Sequence, residues 1–131
     1  MNEKWLRWEA MKVPKGEYEL IKIEQNFDGV YIILDDEINR IMISFEPCVL
    51  AIRASDEGDR WKTIGEVLNE NGGDYFVGQP VYIVKDSEFR NWYDRETFNA
   101  DRNYNHYAIV TRNDVVDILS MVEPEIKIEE I

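Results

Sequence analysis

The residues of this chain best suited to nucleophilic chemistry are its single histidine and its single cysteine. His106 opens the run "HYAIVT" (106–111), and Cys48 follows Pro47 near the start of an apolar segment. A cysteine–histidine dyad would require the two side chains to meet in space, so that the imidazole can take the thiol proton. Alternation along 106–111 gives this segment two largely apolar faces, which favours a hydrogen-bonded structural histidine. We therefore expect no catalytic residue and no enzymatic activity.

The alternative is a small ligand-binding protein or enzyme with a pocket near His106 and Cys48. Tyr104 and Tyr107 would complete the lining of that pocket. This hypothesis predicts a concave site that holds a titratable group with a shifted pKa.

Metal and nucleotide sites find little support in the sequence. One histidine and one cysteine cannot supply the ligands of a zinc site. The acidic runs "DDE" (35–37) and "DEGD" (56–59) lack the alternating ligands and closing bidentate glutamate of an EF-hand loop. Neither G-x-x-x-x-G-K-[ST] nor G-x-G-x-x-G, the glycine-rich loops that bind phosphates, occurs in the chain. We expect no metal and no cofactor.

The net charge of −12 is the most unusual property of the composition. It arises from 27 Asp and Glu against 15 Lys and Arg, and the excess is greatest over residues 17–60, with eleven acidic and four basic side chains. Such a field repels nucleic acid and anionic membranes and speeds encounter with basic proteins. A competing explanation is that the charge serves only solubility.

Aromatic residues beside carboxylates suit a protein interface, because Trp and Tyr are frequent interface anchors. Trp61 follows the acidic run 56–59 and is a candidate anchor. Trp5 and Trp8 could either pack inward or form a surface patch. Phe89 and Trp92, with Tyr93, occupy one face of a predicted helix, most simply the face toward the core.

The elements that must position these residues follow from periodicity. Four short apolar runs separated by turns predict an antiparallel meander, with the wholly apolar "VYIIL" in its centre and covered on both faces. Further strands are predicted at "VYIV" and "HYAIVT", and the tail "EIKIEEI" is either an edge strand or a frayed end. The meander runs are 17–25, 30–34, 40–46 and 49–54.

Three helices are predicted from apolar spacing and caps. The first begins near Trp61 and stops at the glycine-rich 69–73; the second is capped by Ser87. The third is capped by Asn113 and ends at Pro124. The chain is therefore predicted to be α+β, with an antiparallel β-meander in the N-terminal half, two to three helices packed on the sheet, and further strands in the C-terminal half.

Length and composition favour one domain over residues 1–131. No apolar run approaches the ~18 residues of a membrane span, and "MNEKWLRWEA" has no apolar core typical of a signal peptide. A lone cysteine agrees with a reducing compartment. We expect a cytoplasmic protein with no nucleic-acid or membrane partner.

Four pieces of the chain resemble a known class of proteins. They are "WLRWE" (5–9), "RASDEGDRWKTI" (53–64), "DSEFRNWYDRET" (86–97) and "HYAIVTRNDVVDILSMVEPEI" (106–126). The chain resembles small acidic bacterial proteins, chiefly from Bacillus-like organisms, of the immunity-protein type from polymorphic toxin and contact-dependent inhibition systems. The resemblance implies a cytosolic protein that binds and blocks one cognate toxin domain, commonly a nuclease. It carries over no catalytic residue and says little about architecture, since immunity proteins have many folds.

Charge and resemblance agree on one hypothesis: an acidic protein that occupies the basic cleft of a nuclease toxin domain. A third hypothesis is a dimeric accessory protein that associates through an edge strand such as 125–131. For the first hypothesis, the expected partner-binding residues are Asp35, Asp36, Glu37, Asp56, Glu57, Asp59 and Trp61.

Overall fold

Nine β-strands, two α-helices and one 3-10 helix make up the described part of the chain, residues 2–9 and 12–131, in a computed structural model. The strands are β1 Lys4–Arg7, β2 Glu19–Asn26, β3 Gly29–Asp35, β4 Asn39–Phe45, β5 Val49–Asp56, β6 Val81–Lys85, β7 Asn105–Val110, β8 Asp114–Ser120 and β9 Glu125–Glu130. The helices are the 3-10 helix Glu57–Arg60, α1 Trp61–Asn71 and α2 Glu88–Glu96. The α+β class with antiparallel sheets is confirmed.

The predicted meander is confirmed for its first three strands. β2, β3 and β4 pair in sequence order, and β9 completes a four-stranded sheet of order β2-β3-β4-β9. The fourth predicted run does form a strand, but β5 joins the other sheet, whose order is β1-β6-β7-β8-β5. There it pairs with β8, so that Arg53 lies opposite Asp117.

The two sheets pack face to face through alternating apolar residues. In β3 the side chains of Val30, Ile32 and Leu34 are buried and belong to one hydrophobic cluster with residues of β7 and β8 in the other sheet. Tyr31 and Ile33 on the opposite face are only partly buried, so the prediction that β3 is covered on both faces is wrong. The strand is central in its sheet, but only one layer covers it.

The prediction of a third helix after Asn113 is wrong, because residues 114–120 form strand β8. β8 lies between β7 and β5 and is buried on both faces, by the second sheet on one side and by the helices on the other. A doubly covered strand shows no polar alternation, and its apolar positions match helical spacing by chance. Asn113 lies in the β7–β8 turn instead of capping a helix.

The two predicted helices that do form cover the outer face of the five-stranded sheet. Ile64 and Val67 of α1 are buried in a cluster that includes Tyr82 and Ala108. α2 contributes Phe89 to a separate cluster. The result is three layers: helices, five-stranded sheet and four-stranded sheet.

The N-terminal tryptophans belong to the core. Trp5 lies in β1, a strand that the sequence did not predict, and both Trp5 and Trp8 are buried. Phe89 and Trp92 of α2 were both expected to face the core. Phe89 is buried, but Trp92 is 46% exposed. Trp92 is therefore not a core residue.

The tail forms β9, an edge strand paired with β4, as one of the two predicted outcomes. Whether a second copy pairs with this edge stays a prediction. Among the described residues, the structure contains no helix of the length and apolarity that crossing a bilayer demands.

Candidate functional site

His106 lies between the five-stranded sheet and the helices, on the same face as Asp117. Strands β7 and β8 are neighbours, and their register places Ala108 opposite Asp117. The Nε2 atom of His106 is 2.7 Å from Oδ1 of Asp117, and both side chains are buried. The expected hydrogen-bonded histidine is present, and its partner is a buried carboxylate.

Two arginines hold the other oxygen of the Asp117 carboxylate. Nε of Arg53 donates to Oδ2 over 2.7 Å, and Nη1 of Arg60 donates to the same atom over 2.6 Å. Arg53 projects from the neighbouring strand β5, and Arg60 ends the 3-10 helix that follows it. The carboxylate therefore fixes one N–H group of each guanidinium.

Ser87 completes this arrangement from the start of α2. Its Oγ lies 2.7 Å from Nδ1 of His106 and accepts a hydrogen bond from the backbone N–H of Arg90, which caps the helix. If Nε2–H of the imidazole donates to Asp117, Nδ1 accepts from the Ser87 hydroxyl, and every atom has a partner. We call Ser87, His106, Asp117, Arg53 and Arg60 the buried polar network.

The electrostatics of the network favour an ionised Asp117. Burial alone would raise the pKa of this carboxyl, but the hydrogen bond from His106 and the charges of Arg53 and Arg60 outweigh that effect. The pKa of Asp117 is held well below its usual range. A buried carboxylate of this kind is stable only while its partners remain in place.

A serine, a histidine and an aspartate in contact also describe a hydrolase triad. Here the Ser87 hydroxyl is buried and engaged as a helix cap, so it is not open to a substrate carbonyl. Asp117 is engaged by two arginines as well as by His106. The geometry supports a structural role: the network holds the two arginines in place.

Arg53 and Arg60 border a cleft of about 560 Å³ between α1, α2 and β5. We call it the arginine cleft. Its lining combines both signs of charge with apolar surface. The lining residues are Glu3, Ala51, Ile52, Arg53, Arg60, Thr63, Glu88, Phe89 and Trp92.

The two predicted acidic turns lie at one end of the molecule. Asp36 in the β3–β4 turn lies against Gly16, and burial together with the charge of Asp36 raises the pKa of Tyr18 to about 12. The carbonyl of Tyr18 accepts from the N–H of Arg112 over 3.0 Å. Arg112 lies in the β7–β8 turn, and so does Asn113. The carbonyl of Asn113 accepts from the N–H of Glu57 over 2.8 Å. Hydrogen bonds and contacts thus connect the turn at 35–39 with the segment at 56–60.

We call this surface the acidic end. Within the described part of the chain, none of its carboxylates lies within 4.0 Å of a lysine or arginine nitrogen. Asp36 and Asp56 also serve their own turns, by accepting backbone N–H groups. The acidic end comprises Asp36, Glu37, Asp56, Glu57 and Asp59.

The other two predicted binding residues have different surroundings. Asp35 accepts two hydrogen bonds from Arg40, of 2.8 and 2.9 Å. Hydrogen bonding to Arg40 lowers the pKa of the Asp35 carboxyl. Its charge is therefore compensated within the protein. Trp61 is 77% exposed and begins α1, directly after the acidic end.

The residues expected to line a pocket around the histidine do not come together. Cys48 is exposed and precedes β5, which is separated from β7 by β8. Tyr107 packs in the cluster between the two sheets, whereas Tyr104 packs under α2. These residues do not form a cysteine–histidine dyad or a shared pocket.

Sequence reasoning missed four residues of this site, which are Asp117, Arg53, Arg60 and Ser87. One signal was available: in "DVVDILS" (114–120), Asp117 interrupts an apolar run that is too apolar to be a surface strand. A buried charge requires a partner. The identity of that partner was hidden, because Arg53 and Arg60 lie 64 and 57 residues away in sequence.

We expect Ser87→Ala to lower the free energy of unfolding by about 1 to 2 kcal/mol, because it removes a helix cap and the donor to His106. Urea denaturation followed by circular dichroism measures the change. The matched control is Ser55→Ala, since the buried Ser55 hydroxyl has no hydrogen-bond partner among the described residues and its loss should cost nothing. Equal effects of the two substitutions would contradict the assignment of Ser87.

Comparison with models of known protein families gave no match, and comparisons with curated proteins and with solved structures gave none either. The resemblance to immunity proteins therefore stays a prediction.

Proposed function

We propose that this chain is a non-enzymatic binding protein of the immunity type, which binds and blocks the basic domain of a cognate nuclease toxin. The observation that carries the proposal is the acidic end. Its five carboxylates come from two turns about 20 residues apart in sequence, and none of them has a basic partner among the described residues.

An uncompensated cluster of carboxylates is costly for the free protein, because like charges repel. The same cluster favours a partner with a positive surface, and a nuclease must carry such a surface to bind phosphate. The overall charge of −12 adds a long-range field of the same sign. Binding by charge complementarity needs no catalytic residue.

Trp61 supplies the apolar part of the proposed interface. Its ring is 77% exposed and follows Asp59 and Arg60 in sequence. An exposed tryptophan beside a charged rim is the composition typical of an interface anchor. We expect the carboxylates to set the association rate and the ring to slow dissociation.

The test uses the toxin domain encoded beside this chain's gene, purified in a catalytically inactive form. The triple variant Glu37→Gln, Glu57→Gln, Asp59→Asn should slow association about tenfold at low salt. These three side chains make no hydrogen bond to the described residues, so the fold should be unaffected. Surface plasmon resonance measures both rates.

The matched control is Asp28→Asn, Glu123→Gln, Glu125→Gln, which changes the net charge equally at the opposite end of the sheets. It should change the association rate by less than about twofold. For the unmodified protein, raising ionic strength to ~150 mM should slow association steeply. No binding, or equal effects of the two triple variants, would refute the proposal.

A further inference from the structure

The arginine cleft is distinct from the acidic end and is not needed for the proposed function. Its volume of about 560 Å³ falls in the range of sites for small molecules. It lies where the gap between α1 and α2 exposes the five-stranded sheet at Ala51 and Ile52. One wall is cationic, one is acidic and one is aromatic.

The cationic wall is preorganised by the buried polar network. Arg53 and Arg60 each use one N–H group on Asp117, and their other N–H groups have no acceptor among the described residues. Because one buried oxygen anchors both guanidinium groups, neither has to be ordered when a ligand arrives. Planar guanidinium groups match a carboxylate in geometry and charge.

The acidic wall is formed by Glu3 and Glu88. The carboxylate of Glu3 is already engaged, because it accepts from Nε1 of Trp5 and from the backbone N–H of Glu88. The Glu88 side chain is exposed and makes no hydrogen bond to the described residues. It is therefore open to a cation in the cleft.

The aromatic wall belongs to α2. The rings of Phe89 and Trp92 are stacked, with centroids 5.8 Å apart and planes at 15°. The guanidinium carbon of Arg53 lies 4.3 Å from the centre of the Phe89 ring, which positions the arginine at this wall. Trp92 is half exposed, so it offers a flat apolar surface to a ligand.

We propose that the arginine cleft binds a small zwitterion of the amino-acid class with a flat apolar side group. The ligand carboxylate binds Arg53 and Arg60, its ammonium group binds Glu88, and its side group packs on Trp92. A simple anion would meet the carboxylates of Glu3 and Glu88, and a simple cation would meet the two arginines. A zwitterion satisfies both walls.

The probe is L-phenylalanine, titrated into the isotope-labelled full chain and followed by the indole N–H signal of Trp92 and the Nε–H signal of Arg53. Two half-molecules serve as matched probes: 3-phenylpropionate lacks the ammonium group, and phenethylamine lacks the carboxylate. Each should bind at least about tenfold more weakly than phenylalanine, because each loses one charge-assisted contact.

Two variants with matched controls locate the site. Arg53→Gln should weaken phenylalanine binding at least about tenfold, whereas Arg95→Gln at the end of α2 should leave it unchanged. Glu88→Gln should weaken binding of phenylalanine but not of 3-phenylpropionate, and Glu96→Gln should affect neither. If Arg53→Gln does not fold, Trp92→Leu replaces it, since Trp92 lies outside the buried polar network.

Three results would overturn the proposal. The first is no shift of either signal by phenylalanine. The second is binding of a half-molecule as tight as that of phenylalanine. The third is that a cleft variant, Arg53→Gln or Glu88→Gln, binds phenylalanine as tightly as its control variant does. None of them bears on the acidic end, so the toxin-binding proposal is tested separately.

Discussion

Asp117→Asn should lower the free energy of unfolding by about 3 kcal/mol, the largest effect that we expect from a single polar substitution in this chain. The substitution removes the charge that faces Arg53 and Arg60 and places an amide N–H group where an acceptor is needed. Arg60 and His106 are largely enclosed, so water replaces the lost partner only in part. Urea denaturation at pH 7 measures the effect.

The control is Asp101→Asn, which changes the same functional group at an exposed loop position and should cost less than about 0.5 kcal/mol. Equal costs for the two substitutions would show that Asp117 is not the centre of a buried network.

The stability difference between the unmodified protein and Asp117→Asn should depend on pH. Because the pKa of Asp117 is lowered in the folded protein, the unfolded chain takes up this proton first as the pH falls. The stabilisation is complete above the ordinary carboxyl pKa of about 4 and is lost below it. The difference between the unmodified protein and Asp117→Asn should therefore shrink by about 1 kcal/mol between pH 7 and pH 3. A difference that stays constant would contradict the ionised state of Asp117.

Phe45→Ala should lower the free energy of unfolding by about 3 to 5 kcal/mol, because it opens a cavity between the two sheets. Phe45 at the end of β4 is fully buried, and its ring lies 5.5 Å from that of Tyr107 in the opposite sheet. Among the described residues, no backbone hydrogen bond joins a strand of one sheet to a strand of the other, so side-chain contacts such as this one hold the two layers together. Chemical denaturation with two probes, near-ultraviolet and far-ultraviolet circular dichroism, measures the loss.

The control for this prediction is Phe27→Ala in the β2–β3 turn. The Phe27 side chain is fully exposed, with a relative exposure of 102%, so its removal should change the free energy of unfolding by less than about 0.5 kcal/mol. A small effect of Phe45→Ala would mean that the sheets are not packed against each other in solution.

The buried polar network and the acidic end divide the charges of this protein into two kinds. The charge of Asp117 is compensated, and two of its partners, Arg53 and Arg60, line one wall of a cleft. Glu37 and Glu57, with Asp59, are uncompensated by the described residues and remain available to a partner. Substitutions in the first group should therefore act on stability and on the cleft. Substitutions in the second group should act on association rates.

Local signals in the sequence were sufficient for several elements. The alternation in 40–46 predicted β4, and helical spacing after Trp61 predicted α1. Ser87 was recognised as the cap of α2, because a serine before an amphipathic run satisfies the first free N–H groups. Each of these features depends on residues within about one or two helical turns of each other.

Other features depended on neighbours distant in sequence and could not be read from local periodicity. β8 was taken for a helix because burial on both faces removes the alternation that marks a strand. β5 was recognised as a strand, but its pairing with β8 requires contact between residues such as Arg53 and Asp117, which lie far apart in the chain. Trp92 was expected in the core for the same reason. Helical spacing shows that Trp92 shares a face of α2 with Phe89, but it does not show which part of that face is covered by the rest of the fold.

Composition and local patterns were sufficient to predict the α+β class, the strong negative charge, and most of the strands and helices. The fold was needed to show that His106 binds Asp117, that two arginines hold the same carboxylate, and that Cys48 lies apart from His106. It was also needed to show that the two acidic turns lie at one end of the molecule. The physical reason is that hydrophobic periodicity specifies which side of an element is buried, whereas the pairing of strands and charges is specified by the complete fold.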